Sequence, residues 1–281
     1  MCMRARRAHY VALPILALSS TLAGCGFARA GAFLQEEGKT QIIVTSTFDG
    51  SDHTFDASGK LLPLAQYRKF EMVTYAEYGA TDWLTLIFAP SSSQSTGSVG
   101  VASARGAAGS VDLVETADRY ARIEAGGRFR VWRNDHSIVS FQATFRAPYA
   151  VNRSLPPGLR REVNEFDARA LYGYSFEFWE RNGFISAEFG YRLRAGAADE
   201  WRADFTLGYR VMPQLLLLAQ NFNSFARAAA PAPNLRSHKL QVSAVYDLTG
   251  TWSIQGGVYA TVLGVNVRRE RGVLGGLWRK F

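Results

Sequence analysis

Cysteine is almost missing from this chain. Cys2 and Cys25 are the only two in 281 residues. The body of the chain therefore holds no disulfide framework and no paired thiolates for a zinc site. Histidine is nearly as scarce. His9, His53, His136 and His238 are the full set, and they stand far apart. This pattern predicts no metal and no cofactor. His136 has Ser137 beside it, but neighbours on a strand point to opposite faces. No Ser–His pair of the kind a lipid hydrolase needs is legible, and no enzyme is predicted. Long apolar runs are missing too. A membrane-spanning helix needs about 20 apolar residues, and beyond residue 30 the longest run, Leu215 to Ala219, is far shorter. Charge of one sign is also weak. The formal charge is +8, and Arg4, Arg6, Arg7 and Arg29 lie in the first 30 residues with no acid among them, which leaves +4 for the rest. That is too mild to point to nucleic acid.

What is present begins with an export signal over residues 1–30. Three arginines form a basic start, Val11 to Thr21 is apolar, and small residues follow. Two cleavage sites compete. Ala28-Arg29-Ala30 would release a chain starting at Gly31, the expectation adopted here. Leu22-Ala23-Gly24-Cys25 resembles a lipobox and would leave a lipidated Cys25. Residues 31–281 then form a single domain.

From Thr40 onward apolar and polar residues alternate with a period of two, the signature of strands. Between Tyr120 and Trp132 one face carries Ala121, Ile123, Ala125, Phe129 and Val131, and the other Arg122, Glu124, Arg128 and Arg130. Similar runs recur around residues 139–147, 168–177, 186–194 and 202–210. Leu215 to Phe225 opens with apolar residues on both faces, so its phase stays open. About twelve strands are predicted. Their connections alternate in length. Gly79–Asp82, Arg133–His136, Glu180–Gly183, Met212–Gln214 and Leu248–Gly250 are short. Asp49–Leu64, Pro90–Ala117, Val151–Glu165, Ala195–Glu200, Ala226–Arg236 and Arg268–Arg271 are longer. The Ser-, Gly- and Ala-rich stretch Pro90–Ala117 is expected to be a loop. Short turns at one end and longer loops at the other describe an all-β, antiparallel, up-and-down transmembrane β-barrel with both termini at the turn end, in the periplasm.

Faces follow from solvation. An arginine against lipid costs about 2–4 kcal/mol at the bilayer midplane, so the charged face must turn inward. The predicted lumen carries Lys69, Glu71, Glu77, Arg122, Glu124, Arg128, Arg130, Arg146, Arg169, Glu177, Glu188, Arg192, Arg194, Arg202, Asp204, Arg210, Lys239 and Asp247, with bases in excess. Two uses are open for this wall. It lines a narrow path that favours anions, or it pairs into a network that fills the barrel. Trp83, Trp132, Trp179 and Trp252 border short connections and Trp278 lies near the C-terminus. These five are expected to form a periplasmic aromatic ring.

The last residues, Gly272 to Phe281, end on an aromatic with Leu277 at an alternate position. The stretch resembles the C-terminal signal by which bacterial outer-membrane barrels engage the barrel assembly machinery, with Leu277 and Phe281 as its assembly residues and Arg279 as a departure. Gly31-Ala32-Phe33, Gln41-Ile42-Ile43-Val44-Thr45, Tyr67-Arg68-Lys69-Phe70, Tyr75-Ala76-Glu77-Tyr78-Gly79 and Thr81-Asp82-Trp83-Leu84-Thr85 are similar to a family of small proteobacterial outer-membrane barrels. These are transporter-like and grouped loosely with the phenol-degradation meta-pathway barrels. The resemblance implies residence in the outer membrane among its lipid and lipopolysaccharide, and uptake or efflux of small molecules without naming a substrate; small anionic or aromatic solutes are the expected partners. Arginines 160, 161, 268, 269 and 271 are candidates to meet lipopolysaccharide phosphates. A structural barrel with a salt-bridged, closed lumen is the alternative, and a membrane-embedded lipid hydrolase a more distant one. Deleting Phe281 should cut the yield of folded barrel in the outer membrane, read on gels by the different migration of heated and unheated samples; an unchanged yield would refute the assembly role.

Overall fold

A computed structural model describes residues 31–102, 111–152, 163–227 and 234–281. The signal segment with Cys25, and Arg160 and Arg161, lie outside the described residues. The chain is built from β-strands, and no described helix is long and apolar enough to cross a membrane. In chain order the strands are β1 (Thr40–Phe55), β2 (Leu61–Thr81), β3 (Leu84–Ala102), β4 (Val111–Arg133), β5 (Ser137–Asn152), β6 (Glu165–Phe178) and β7 (Arg181–Arg194). They continue as β8 (Glu200–Met212), β9 (Leu215–Ala226), β10 (Leu235–Asp247), β11 (Trp252–Val265), β12 (Val267–Arg268) and β13 (Arg271–Lys280). From β1 to β11 each strand pairs antiparallel with the next, β11 pairs with β13, and the short β12 pairs with β1, so that β12 and β13 form one wall interrupted at Arg269 and Glu270. The sheet closes because β1 pairs with β2 on one edge and β13 on the other, from Gln41↔Lys280 to Gly50↔Arg271. Twelve walls result, and neither edge is left unpaired.

The two faces of the sheet differ as alternation requires. Phe48, Phe88, Phe141, Phe145, Phe189, Phe205, Leu217, Val242, Val258 and Val273 are exposed on the outside. Soluble monomers rarely leave so much contiguous apolar surface in water, and a lipid belt accounts for it. Inside lie buried Thr85, Arg128, Ser140, Asp167, Ser186, Arg192 and Asp204.

Three connections differ from the sequence reading. The Pro90–Ala117 stretch is largely strand, since β3 runs to Ala102 and β4 starts at Val111. Ser91 and Ser93 are buried, opposite Arg122 and Tyr120. Small polar residues have little strand propensity of their own, but a ladder partner and a crowded inner face override it. Asp49–Leu64 likewise shrinks to a turn between Phe55 and Leu61. There the Asp56 carboxylate accepts from the Ser58 hydroxyl (2.7 Å) and from the Ser58 and Lys60 amides, which holds it below the usual carboxylate range. The turn between β6 and β7 is Trp179-Glu180, earlier than the expected connection Glu180–Gly183, since Phe178 already pairs with Arg181. Both turn residues have positive φ, 48° and 56°, as a tight two-residue hairpin demands.

The walls are uneven in height. β2, β3 and β4 run 21, 19 and 23 residues, whereas β8, β9 and β10 run 13, 12 and 13. A tilted strand needs about 9–11 residues to span the membrane. One side of the barrel therefore stands well beyond the bilayer at the loop end. Val258 sits midway along β11, facing lipid between Val242 and Val273. Val258→Arg should destabilise the barrel by about 2–4 kcal/mol, and Val131→Arg near the turn end by about 0–1 kcal/mol, in equilibrium unfolding from lipid vesicles.

Candidate functional site

The lumen holds more than wall side chains. Residues 31–38 precede β1; residues 31–35 run inside the barrel at its turn end, and residues 36–38 lie exposed along the rim beside Gly79. Irregular backbone at membrane depth survives only where every polar group finds a protein partner, and here the partners are on the wall. The Ala32 amide donates to Ser186 Oγ (3.2 Å), and Ser140 Oγ donates to the Ala32 carbonyl (2.7 Å). Arg128 Nη1 donates to the Phe33 carbonyl (2.8 Å). The Gln35 amide donates to Thr85 Oγ1 (3.0 Å), and its side chain donates to Glu77 Oε2 (2.7 Å). Gly38 N and Gly79 N then bind the Gly79 and Lys39 carbonyls.

Two wall glycines make this approach possible. A Cβ at residue 79 would stand 2.0 Å from the Glu36 carbonyl oxygen, and one at residue 173 would stand 2.9 Å from the Phe33 ring. Ala32 and Phe33 pack with Ile138, Leu171, Phe184, Leu216, Leu218, Val245 and Trp278 in a buried apolar cluster. Phe33 meets Phe184 edge to face at 5.9 Å. This cluster resolves the ambiguous phase of β9. Leu217 faces lipid, and Leu216 and Leu218 face the inserted segment. The turn-end half of the lumen is thus packed like a protein core.

Above this dry half the lumen is ionic. Arg128 and Glu77 form the deepest pair, 2.9 Å apart with both side chains 4 % exposed, and Arg128 also contacts Tyr75 and Gln142. Along β4 to β8 a continuous chain follows. Arg146 pairs with Glu124 and Glu165; Arg192 and Arg169 share Asp167; Arg169 also reaches Glu188 and Asp204. Arg194 pairs with Glu165, and Arg202 with Glu200 and Asp204. On the opposite wall Lys69 and Arg122 share Glu71, Lys239 pairs with Glu270, and Tyr259 donates to Asp49 at 2.7 Å. Lys69, Arg122, Glu188, Arg202, Lys239 and Glu270 keep 20–31 % of their side-chain surface accessible. Water therefore reaches this half.

The expected basic excess is corrected by this geometry. Asp49, Glu165, Asp167, Glu200 and Glu270 were not placed in the lumen from sequence, and they bring acid and base close to balance. Each falls in or beside a stretch read as a connection, where alternation gives no face. Arg130 and Arg210 lie at the turn-end rim, paired with Asp82 and Asp247. Glu177 stands exposed at that rim, with no ion pair among the described residues. The aromatic ring also needs correction. Trp83, Trp132 and Trp179 are exposed at the turn end and Trp252 is half-buried there, but Trp278 points inward and donates to Gln255 Oε1 (3.0 Å). Its register sends Leu277 and Arg279 outward, and Arg279 stacks on the rings of Trp252 (4.3 Å) and Phe281 (4.8 Å). Arg268 is drawn over the Tyr67 ring at 4.0 Å. His238 bonds Asn223 Oδ1 (2.6 Å), and no described hydrogen bond joins it to a serine. No described group of His, Cys, Asp and Glu is arranged to hold a metal.

Several solved structures share this fold. An outer-membrane channel from Pseudomonas putida F1 superposes with a TM-score of 0.63 at 14 % identity, covering 89 % of this chain and 98 % of that one. The translocator domain of the autotransporter NalP from Neisseria meningitidis gives 0.54 at 11 %, covering 88 % and 90 %. The transport unit of the autotransporter AIDA-I from Escherichia coli gives 0.53 at 11 %, covering 89 % and 93 %. No family model matches the chain, and no curated protein does. At these identities the likeness establishes the fold, a transmembrane barrel of the outer-membrane type. Arg128→Met should destabilise that barrel by about 3–5 kcal/mol in denaturant titrations, because it strands Glu77 without its partner in a dry site.

Proposed function

We propose that the chain is an outer-membrane channel for small solutes, closed at its periplasmic end by residues 31–38. The observation that carries this reading is Phe33, buried in the lumen and held from both sides by wall residues. Twelve walls enclose more room than the roughly eight that side chains alone can fill, and a short segment reaching in from one end blocks that room without filling the water-accessible half above it. The water-accessible charges above the segment form a vestibule, and the segment forms the constriction beneath it. The balanced wall gives no reason for anion preference. The sequence resemblance to phenol-degradation barrels favours passage of small molecules and names no substrate. The printed name of the P. putida neighbour, a channel, supports the class and not the substrate. The barrel is proposed to be non-enzymatic, with the short-turn end and both termini in the periplasm.

A closed structural barrel is the competing reading. It is favoured by the ion pairs that link neighbouring walls from β4 to β8 and crowd the inner face with neutralised charge. Conductance separates the two. Full-length mature protein in planar bilayers should show small, infrequent current steps. A variant lacking residues 31–38, and Phe33→Asp as a folded alternative, should show steps severalfold larger. Absence of current above the lipid background in all three would sink the channel reading and leave the structural barrel.

A further inference from the structure

The outer wall carries a feature that the lumen does not explain. At the loop end of the low side, a groove of about 540 Å³ opens among Phe189, Trp201, Phe225 and Val265, with Arg227 and Arg236 at its edge. Strand pairing places it outside. Trp201, Phe225, Arg236 and Val265 lie opposite one another across β8 to β11, and Trp201 and Phe189 are exposed on the lipid face. The groove sits at the loop-end edge of the apolar belt. An occupant of its apolar wall must therefore come from the membrane.

The two guanidiniums identify that occupant. Arginine inside the lumen is paired with carboxylate throughout β4 to β8. Arg227 and Arg236 form no salt bridge among the described residues, and Arg236 rests over the Phe225 ring at 5.5 Å. An unneutralised pair of forked donors beside an apolar slot complements a phosphate joined to an acyl chain. Below the groove the polar side chains are already satisfied. Asn223 bonds Asn221 and the Ala203 carbonyl, and His238 bonds Asn223. They are satisfied within the protein, whereas the two guanidiniums at the edge have no carboxylate partner among the described residues.

We infer that this groove is a lipopolysaccharide site: it holds an acyl chain of lipid A against Phe189, Trp201, Phe225 and Val265 while Arg227 and Arg236 bind a lipid A phosphate. The site differs from the loop arginines that sequence alone put forward. It rests on the proposed orientation, since the loop end must face the outer leaflet.

The test is native mass spectrometry of the full-length mature protein in detergent micelles, titrated with bisphosphorylated lipid A, the same lipid stripped of phosphate, and phosphatidylglycerol. Bisphosphorylated lipid A should bind best, and the double variant Arg227→Gln/Arg236→Gln should weaken it by about tenfold or more. Trp201→Ala should also weaken it. Equal binding by wild type and the double variant overturns the site. Phosphatidylglycerol competing as well as lipid A overturns the identity of the occupant. The double variant should keep heat-modifiable migration and unaltered conductance, so failure here leaves the channel reading standing. Protease cleavage of the short turns, rather than the long loops, on intact cells would instead refute the orientation and with it the channel scheme.

Discussion

Everything in this molecule depends on the pairing of β1 with β13. A hydrocarbon environment offers no hydrogen bonds, so a sheet inside it must have no free edge. Closure meets that demand and imposes a second one. Once the sheet is a cylinder, each wall residue faces either lipid or lumen, and charge has one place to go. The inner face then inherits arginines and carboxylates at a density that water alone would not solvate in a narrow tube. Their answer is mutual neutralisation, most completely where the lumen is driest. Arg128 and Glu77 are nearly sealed from solvent, whereas Lys239 and Glu270 toward the loop end stay partly wet.

The two halves of the lumen are therefore filled by different physics. In the loop-end half, ion pairs shared between successive walls cross-brace the cylinder. Asp167, for example, is held jointly by Arg169 on its own strand and Arg192 on the next. In the turn-end half, inward Leu171, Phe184, Leu216, Leu218 and Val245 would face a void if the walls stood alone. The segment carrying Ala32 and Phe33 fills it. Arg128 joins the two regimes, since one guanidinium closes the ionic network at Glu77 and caps the Phe33 carbonyl.

How much of this was legible depended on periodicity. Walls with strict alternation, such as β7 and β8, declare both faces. The acids Glu165 and Glu200 sit at wall ends and Glu270 at the break between β12 and β13, where a face cannot be read without knowing where the ladder stops. The Ser-rich part of β3 hid for a related reason, because its strand character comes from neighbours and not from its own residues. The connection expected at Glu180–Gly183 falls earlier in the chain, because the register of β6 and β7 puts the turn at Trp179-Glu180, where two residues bear positive φ. Trp278 was placed by composition, as a membrane-interface residue, when its partners in the lumen were invisible. The inserted segment did leave one trace. The both-sided apolar start of β9 is what a wall looks like when it has lipid on one face and a buried segment on the other.

The hold on that segment is distributed and moderate. Burying Phe33 contributes about 1.5–3 kcal/mol, each neutral hydrogen bond to the wall about 0.5–1.5 kcal/mol net, and each of the two bonds to Arg128 and Glu77 about 1.5–3 kcal/mol. Against these stands the ordering of residues 31–38, at about 1–2 kcal/mol per residue. The two sides fall within a few kcal/mol of each other. The network of the walls is different in kind, because its carboxylates and guanidiniums cannot be parted without leaving buried charge. The segment is thus held by many modest contacts, while the walls are held by charges that no single substitution can relieve without a large penalty.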